Sequence, residues 1–453
     1  MKSMSIYRIV YFASVFILHS CENNTDTILQ DVPGYTNELT IEEATALALS
    51  VKGATVPFED AIKEANSVMN CLDKADPKTR FGKQRNIKSV DFLINQKAQT
   101  RNLINSTEQD TLMYLINYDN EEGFALLSAD KRTESLFAVS NKGHLSLNDT
   151  IDNPGLYIFL CNAVGLYNQQ INESESQLQS AFDKLNTKTI TKVLTRSGSD
   201  DIQYGDWVDE VNAGPLLKTK WRQYYPFNYN APIINGKKAV AGCVAVATGQ
   251  IMYYFRHPSS INWGLIDLFK SNPRNYDAED YIAAWFRSMG DDLSMNWGVE
   301  SSEASNSAVP VYLSNMGYSS AGTLKEYNLS RIKDALYAAR PIYISGFSIE
   351  NVTYNTKSWF SGVKRANISY ESGHSWVIDG YMFRWREIKT NGVITREYEN
   401  LVHCNWGWGD SKTDGYYNSE VFDTRNGPVV PTRTYGDRYY YQFKLEIISD
   451  IKP

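Results

Sequence analysis

One segment of the chain is apolar on nearly every side: Val244–Phe255 reads VAVATGQIMYYF. A helix of this composition has no polar face to turn toward water, so it must lie in the centre of a domain. Gly242 and Cys243 stand directly before it. A glycine there lets another backbone or a ligand approach closely. The sequence therefore predicts a domain built around a central helix that begins with a cysteine.

A cysteine in this position can be reactive. The unpaired N–H groups and the macrodipole at a helix N-terminus favour a negative charge, here a thiolate at Cys243. With an imidazolium beside it, such a thiol can have a pKa of roughly 3.5–7.5 instead of about 8.5. A free cysteine is also commonly a small buried core residue. Cys243 taken alone leaves both interpretations open.

A histidine on a predicted strand is the first candidate partner for this cysteine. The segment 371–381 reads ESGHSWVIDGY, which predicts a strand with His374, Trp376 and Ile378 on one face. The histidine follows Gly373 and would lie near the start of the strand, at a domain edge. A strand histidine that simply packs on Trp376 fits the pattern equally well.

Two amide side chains complete the set of candidates. In the segment 401–409, LVHCNWGWG, strand alternation places His403 and Asn405 on one face and Cys404 on the other. An amide at Asn405 can accept an imidazole N–H and fix its tautomer without adding a charge, and Trp406 could keep water from that contact. Gln223, in the segment WRQYYPFN, could donate to an oxyanion together with the backbone N–H of Cys243. A surface glutamine is the alternative.

In the order Gln, Cys, His, Asn-Trp, these segments resemble the papain-like cysteine proteases, and more closely the streptopain family of bacterial thiol proteases. The phrases that carry the resemblance are WRQYYPFN, GCVAVATGQIMYY, GHSWVIDGY and HCNWGWGD. The resemblance implies an α+β, papain-like catalytic domain, with a central helix carrying the cysteine and an antiparallel sheet or barrel carrying the histidine and asparagine. It also implies the site roles: nucleophile Cys243, general base and acid His374, oxyanion donor Gln223, orienting residue Asn405, shielding residue Trp406 and substrate-backbone contact Gly373.

The N-terminal part resembles the inhibitory propeptide of the same family, chiefly at IEEATALAL and GFALLSADKR. Thr40 followed by Glu43 predicts a capping box and a helix start. Alternating apolar runs on either side of 119–123 predict a β-hairpin. A smaller α+β propeptide domain is therefore expected. The polar segment 187–201 is typical of an exposed, cleavable linker, and a cut after Arg196 would activate the enzyme.

The first residues predict export. Residues 9–18 form an apolar run that suits a signal peptide and is shorter than the about 20 residues of a membrane-spanning helix. Ser20-Cys21 resembles a bacterial lipobox, in which the cysteine becomes lipidated. A plain secretory signal with an incidental cysteine is the alternative. The predicted organisation is a signal peptide at 1–20, a propeptide and linker at 22–196, and a protease domain at 197–453.

Composition narrows the function classes. The length of 453 residues predicts two domains or more, and the net charge of −7 lacks the basic surface of a nucleic-acid binder. No segment has zinc-ligand spacing, so no metal and no cofactor are expected. The expected partners are protein or peptide substrates and the propeptide itself. Contact with a membrane is expected only through a lipid anchor, at the outer membrane, the cell surface or the periplasm, with release as a further outcome.

Three other functions remain open from the sequence. A papain-like transglutaminase would use the same Cys-His pair with an amine in place of water. An inactive papain-like surface lipoprotein would serve as a binding or adhesion module. A protease inhibitor would account for the N-terminal part alone, and its fusion to a complete catalytic domain would make it a self-inhibitor.

Overall fold

The computed structural model describes residues 39–76, 85–94, 111–146, 153–185, 202–271, 273–355, 365–390, 392–409, 413–423 and 445–453, with the backbone alone at 94, 348–355 and 365–372. The predicted signal peptide, the lipidation site Cys21 and the cleavage site Arg196 lie outside these residues. Within them, no helix combines the length and apolar character needed to cross a membrane.

Among the described residues, the N-terminal part contains three helices: α1 (Ile41–Lys52), α2 (Phe58–Ala75) and the long α3 (Pro154–Lys184). The predicted capping box is confirmed, because Glu43 N donates to Thr40 Oγ1 at 3.2 Å and Thr40 N donates to the Glu43 carboxylate at 2.9 Å. Helix α3 is capped by Asn153, whose side-chain oxygen accepts from the first N–H groups of the helix.

The same part contains a four-stranded antiparallel meander. Its strands are β1 (Ile87–Ile94), β2 (Thr111–Tyr118), β3 (Phe124–Ser128) and β4 (Leu136–Ser140). The predicted hairpin is confirmed: β2 and β3 are joined through a short 3₁₀ turn. The alternating apolar residues of this region bury one face of the meander against α3 and the other against α2.

The segments of the C-terminal part that the structure describes contribute five helices and two 3₁₀ segments. The helices are α4 (Cys243–Phe255), α5 (Trp263–Ile266), α6 (Tyr276–Asp292), α7 (Ala308–Asn315) and α8 (Leu329–Tyr337). The 3₁₀ segments are Asp267–Lys270 and Ser419–Phe422. Most of α4 is buried, as its all-round apolar composition predicts.

The strands of the C-terminal part range from two-residue pairs to long ribbons. The long strands are β11 (Ile342–Asn355), β12 (Arg365–Thr390) and β13 (Val393–Asn405). The shorter ones are β5 (Ile202–Tyr204), β6 (Val208–Ala213), β7 (Ile233–Ile234), β8 (Lys237–Lys238), β9 (Ser320–Ala321), β10 (Lys325–Glu326), β14 (Gly415–Asn418), β15 (Glu446–Ile448) and β16 (Ile451–Lys452).

A single antiparallel sheet runs through both parts of the chain. Its strand order is β1-β2-β3-β4-β14-β13-β12-β11-β15-β10, and β5 and β6 also pair with β12. The two parts meet where β4 pairs with β14, with Val139 opposite Tyr416 and Ala138 opposite Tyr417. The N-terminal meander therefore extends the sheet that carries the candidate histidine and asparagine.

The central strands are covered on both faces. One face packs on α4 and α6, in a core that includes Trp221, Val246, Phe286, Tyr343 and Val377. The opposite face packs on α3, in a core that includes Phe159, Trp376, Ile378, Trp406 and Tyr417. The predicted α+β architecture, with the cysteine on a central helix and the histidine and asparagine on antiparallel strands, is confirmed.

Candidate active site

Helix α4 begins at Cys243, as predicted from the sequence. Gly242 before it has φ 84°, and a Cβ at this position would lie 2.8 Å from a methyl carbon of Met295. Gln223 lies beside the same turn because its carbonyl oxygen accepts from Ala241 N at 2.8 Å. The structure thus brings the predicted nucleophile and the predicted oxyanion donor together, although they are twenty residues apart in sequence.

The Cys243 thiol contacts Ser375, one residue after the candidate histidine. Burial raises the pKa of the Cys243 thiol, and hydrogen bonds to the backbone and hydroxyl of Ser375 oppose that rise. The Ser375 hydroxyl in turn donates to Asn306 Oδ1 at 3.2 Å and lies 2.8 Å from the Tyr343 hydroxyl. In the full chain, the surroundings of the thiol therefore favour its neutral, unreactive form.

His374 lies on the opposite face of the sheet from α4. Its neighbours on β12 alternate: Trp376 belongs to the core around α3, and Val377 belongs to the core around α4. Because Ser375 contacts Cys243, His374 points the other way, toward α3 of the N-terminal part. Its ring is buried and stacks on Trp376 with an interplanar angle of 11°. The histidine is therefore not placed to take a proton from Cys243 in this structure.

Backbone and ring contacts hold His374 in this position. His374 Nε2 lies 2.8 Å from Trp406 O, so it carries the proton and donates to that carbonyl. The edge of Trp408 approaches the imidazole at 5.6 Å between ring centroids. Burial lowers the pKa of His374 to about 4, against a smaller opposing effect of the Trp406 carbonyl. The imidazole is therefore neutral at pH 7.

Helix α3 of the N-terminal part closes over this histidine. At Gly155, the second residue of α3, a Cβ would lie 2.5 Å from Trp406 Cε3 and 2.8 Å from His374 Cδ2. Only a residue without a side chain allows so close an approach of the helix to the two rings. The start of α3, with Trp406 and Trp376, forms an enclosure around His374 that we call the histidine cage.

Asn405 lies on the α4 side of the sheet. Its Oδ1 accepts from Gln250 Nε2 at 3.2 Å and from Gly407 N at 3.2 Å, and its Nδ2 donates to Thr219 O at 3.0 Å. The expected contact between Asn405 and His374 is therefore wrong for the full chain, because the two side chains lie on opposite faces of the sheet.

Trp406 shields His374, as expected, but it does not shield a contact between His374 and Asn405. Its indole is buried between Trp376 and Tyr417, with ring centroids 5.0 Å from each, and its Nε1 donates to Thr413 O at 3.0 Å. It contacts His374 through its backbone carbonyl. Trp406 thus covers the histidine without covering a contact between histidine and asparagine.

Two further residues can be located. Gly373 is exposed beside His374 and pairs with Phe347, where a Cβ would lie 2.8 Å from the phenyl ring. Cys404 is buried in the aromatic core around α3, where it interacts with the Trp376 side chain. The strand alternation that separates Cys404 from Asn405 predicted that Cys404 also points away from His374; this is wrong for the full chain, where both lie on the face that packs on α3.

The structure adds residues that the sequence did not single out. Ser375, Thr219 and Gln250 surround the cysteine and the asparagine, and Gly155 forms part of the histidine cage. Gln250 could have been identified from the sequence, because it is the glutamine of the largely apolar segment that forms α4. An amide buried in such a helix needs a hydrogen-bond partner. The remaining three carried no such signal.

A second histidine has a structural partner. His403 Nδ1 lies 2.6 Å from Asp379 Oδ1, and the other oxygen of that carboxylate accepts from Leu217 N at 2.8 Å. This pair ties the segment before α4 to β12 and β13. Among the described residues, no group of three or more His, Cys, Asp or Glu side chains is arranged to hold a metal ion.

Charged residues link the two parts of the chain near the sheet. The fully buried Arg384 of β12 lies 2.9 Å from Glu64 of α2, 3.0 Å from Asp209 and 3.5 Å from Glu399. Glu399 accepts from the backbone N–H groups of Ser135 and Leu136, in the meander. Carboxylates thus outnumber the guanidinium at this junction.

Glu134 enlarges the same acidic group. Its carboxylate accepts from Asn418 Nδ2 at 2.9 Å and from Gln170 Nε2 at 3.2 Å. Burial raises the pKa of Glu134 to about 7, and nearby Glu420 and Glu397 add to the rise. Burial also raises the pKa of Glu399 well above its usual range, while Arg384 opposes this. The junction therefore holds protons at a pH where exposed glutamates do not.

Family models match both parts of the chain. The Peptidase C10 family matches residues 221–267 and 259–417, and the Spi protease inhibitor family matches residues 54–171. The first match contains all five predicted catalytic positions, and the second contains the whole meander and the first half of α3.

Individual relatives are distant. The chain is 22% identical over 330 residues to the thiol protease/hemagglutinin PrtT of Porphyromonas gingivalis, an alignment that covers 68% of this chain and 34% of PrtT. It is 23% identical over 355 residues to streptopain of Streptococcus pyogenes, covering 69% of this chain and 74% of streptopain. The chain thus spans about a third of PrtT and most of streptopain.

Solved structures of the same kind are also similar. A fragment of Prevotella intermedia prointerpain A is 17% identical, with a TM-score of 0.45, covering 81% of this chain and 98% of that chain. Active interpain A is 20% identical, with a TM-score of 0.31, covering 46% of this chain and 85% of that chain. The family matches, rather than these scores, support a streptopain-like cysteine peptidase of the Peptidase C10 family at residues 221–417 and an inhibitor-type propeptide at residues 54–171.

Proposed function

We propose that this chain is an exported cysteine endopeptidase that is made as an inactive precursor and hydrolyses peptide bonds through Cys243. The observation that carries the proposal is the start of α4, where Cys243 opens a buried helix and Gln223 is held beside it by the bond from Ala241. A thiolate at a helix N-terminus with an amide donor at hand is suited to attack on a carbonyl.

The proposed reaction has two stages. The Cys243 thiolate attacks the peptide carbonyl, and the resulting oxyanion is held by the Cys243 N–H and the Gln223 amide. The imidazolium of His374 gives its proton to the leaving amine, which forms the acyl-enzyme. His374 then takes a proton from water, which attacks the thioester and releases the second product and the thiolate.

Latency follows from the position of His374. The start of α3 and the two tryptophans keep the imidazole neutral and on the far side of the sheet from the thiol. When the propeptide leaves, the segment around His374 can turn its imidazole toward α4 and Asn405. We place the activating cut in the linker 187–201, after Arg196, and the boundary between propeptide and protease domain at 196/197.

Export completes the proposal. The apolar run at 9–18 would direct secretion, and Cys21 would anchor the precursor by a lipid. An exported enzyme of this kind would cleave proteins outside the cytoplasm and release peptides from them.

Casein cleavage tests the proposed function. The chain lacking the signal peptide (residues 22–453) is activated under a reductant, and three proteins are compared: wild type, Cys243→Ala and the control Cys404→Ala. Hydrolysis by wild type and Cys404→Ala that is absent from Cys243→Ala and is blocked by an epoxide thiol-protease inhibitor supports the proposal. Cross-linked casein without new peptides would indicate a transglutaminase. An unlabelled Cys243 and intact casein, even after trypsin has cut the linker, would indicate a binding module.

A further inference from the structure

The amide of Asn405 is held by a closed ring of hydrogen bonds. Thr219 Oγ1 donates to Gln250 Oε1 at 2.6 Å, and Gln250 Nε2 donates to Asn405 Oδ1 at 3.2 Å. Asn405 Nδ2 donates back to Thr219 O at 3.0 Å. All three side chains are buried, and that of Gln250 is 0% exposed. We call these three residues the amide ring.

The amide ring defines which way Asn405 points. Thr219 O can only accept and so must face the amide nitrogen of Asn405, which leaves Oδ1 facing Gln250 and the Gly407 N–H. A rotated amide would place its NH₂ against the Gln250 NH₂ and leave buried donors without acceptors. Such an arrangement would cost the desolvation of those groups. The ring therefore selects one orientation of the amide.

The same ring fixes Asn405 relative to the nucleophile. Gln250 lies seven residues after Cys243, two turns along the same face of α4. The turn after Asn405 packs on this helix as well, since a Cβ at Gly407 would lie 3.0 Å from a methyl carbon of Val246. One rigid helix thus carries Cys243 at its start and the support of Asn405 further along.

These contacts exist while His374 is still in the histidine cage. The two bonds to Asn405 Oδ1, at 3.2 Å each, are longer than the usual 2.9–3.0 Å. An amide oxygen has two lone pairs, so one of these two long bonds would give way to the shorter, charge-assisted bond that an imidazolium would make. On the basis of the proposed function, we propose that Thr219 and Gln250 are positioning residues that hold the Asn405 amide ready to receive the His374 N–H.

Kinetics of the activated enzyme test the positioning role. Gln250→Met keeps the length of the side chain and removes both polar groups, so the amide of Asn405 loses its support. We expect kcat per titrated active site to fall by about 10²-fold, the typical effect of misplacing a group by about 1 Å, with little change in KM. Thr219→Val should lower kcat in the same direction, and Thr219→Ser, which keeps the hydroxyl, should restore it.

Two readouts separate positioning from general stability. In an Asn405→Ala background, Gln250→Met should cost no further kcat, because the residue through which it acts is gone. The alkaline limb of the kcat/KM profile should also move to lower pH in Gln250→Met, as a misplaced amide stabilises the imidazolium less. Equal losses of kcat on both backgrounds, or a wild-type kcat and pH profile in Gln250→Met, would overturn the inference.

The controls distinguish this inference from the proposed function. Cys243→Ala is assayed in the same preparation series. Cleavage by Cys243→Ala would refute the proposed function itself. An inactive Cys243→Ala beside a fully active Gln250→Met would leave the function intact and remove only the role of the amide ring.

Discussion

Replacement of Gly155 by alanine should loosen the hold of the propeptide on His374, the histidine that we propose as catalytic base. The new methyl carbon would lie 2.5 and 2.7 Å from Trp406 Cε3 and Cζ3, and 2.8 Å from His374 Cδ2. Carbon atoms pack best at about 3.5–4.0 Å, so helix or rings must move by about 1 Å. Both rings are buried and have little room to yield.

The size of the effect follows from the cost of overpacking. Extra methyl groups in a well-packed core typically cost about 1–3 kcal/mol. Alanine also favours the helix by about 0.5–1 kcal/mol over glycine, but the helix keeps that gain whether α3 is docked or released. Docking of α3 should therefore weaken by about 1–3 kcal/mol, which is about 5- to 150-fold.

Labelling of Cys243 by an epoxide inhibitor measures this opening in the uncut chain. If only molecules with a released histidine react, the initial rate for Gly155→Ala should rise by the same factor. Asn168→Ala, an exposed change on the same helix, is the control and should label at the wild-type rate. A wild-type rate in Gly155→Ala, in a protein whose helix content is unchanged, would refute the idea that contact with α3 keeps the enzyme latent.

Three further outcomes are expected. The pKa of Glu134 is raised to about 7 and that of Glu399 is also raised. Protonation of these carboxylates therefore stabilises the docked propeptide at low pH, and this stabilisation is lost as pH rises through about 7. The cut propeptide should thus dissociate more readily at about pH 8 than at about pH 5.5, measured by gel filtration, and Glu134→Gln should flatten this dependence; an unchanged profile would exclude Glu134 as its source. Gln223→Ala should slow turnover by about 100- to 1,000-fold, because one oxyanion donor is typically worth about 2.7–4 kcal/mol, whereas normal turnover would remove Gln223 from the mechanism. Cys404→Ser should retain activity but unfold more easily by about 1–3 kcal/mol, since it buries a hydroxyl in an aromatic core; loss of activity in a folded variant would contradict this.

Much of the framework could be predicted from local sequence. The segment that is apolar on nearly every side predicted that α4 is a buried helix. Alternation along the strand predicted that His374, Trp376 and Ile378 share one face. The Thr40 capping box and the hairpin at 119–123 were also predictable, since each depends on residues a few positions apart. These features need no knowledge of which distant segments meet.

The face on which His374 lies could not be predicted in the same way. Both faces of β12 are buried here, with Trp376 and Ile378 on one side and Val377 on the other. In a strand that is apolar on both faces, alternation does not tell which face meets α4. If the strand segment rotates so that its faces are exchanged, the side chain of His374 faces α4 and that of Ser375 faces away. Packing of the propeptide decides which of these two arrangements the full chain adopts. The role of Gly155 depends on that same packing.

A histidine titration followed by NMR tests the central claim most directly, which is that the propeptide holds His374 neutral and away from Cys243. The chain contains five histidines, and a His374→Gln variant assigns the signal. In the uncut precursor, the His374 imidazole should stay neutral down to about its pKa of about 4. After removal of the propeptide it should be protonated at pH 7, paired with the thiolate, and Cys243→Ala should abolish that protonation. A His374 that titrates alike before and after removal of the propeptide would contradict the account.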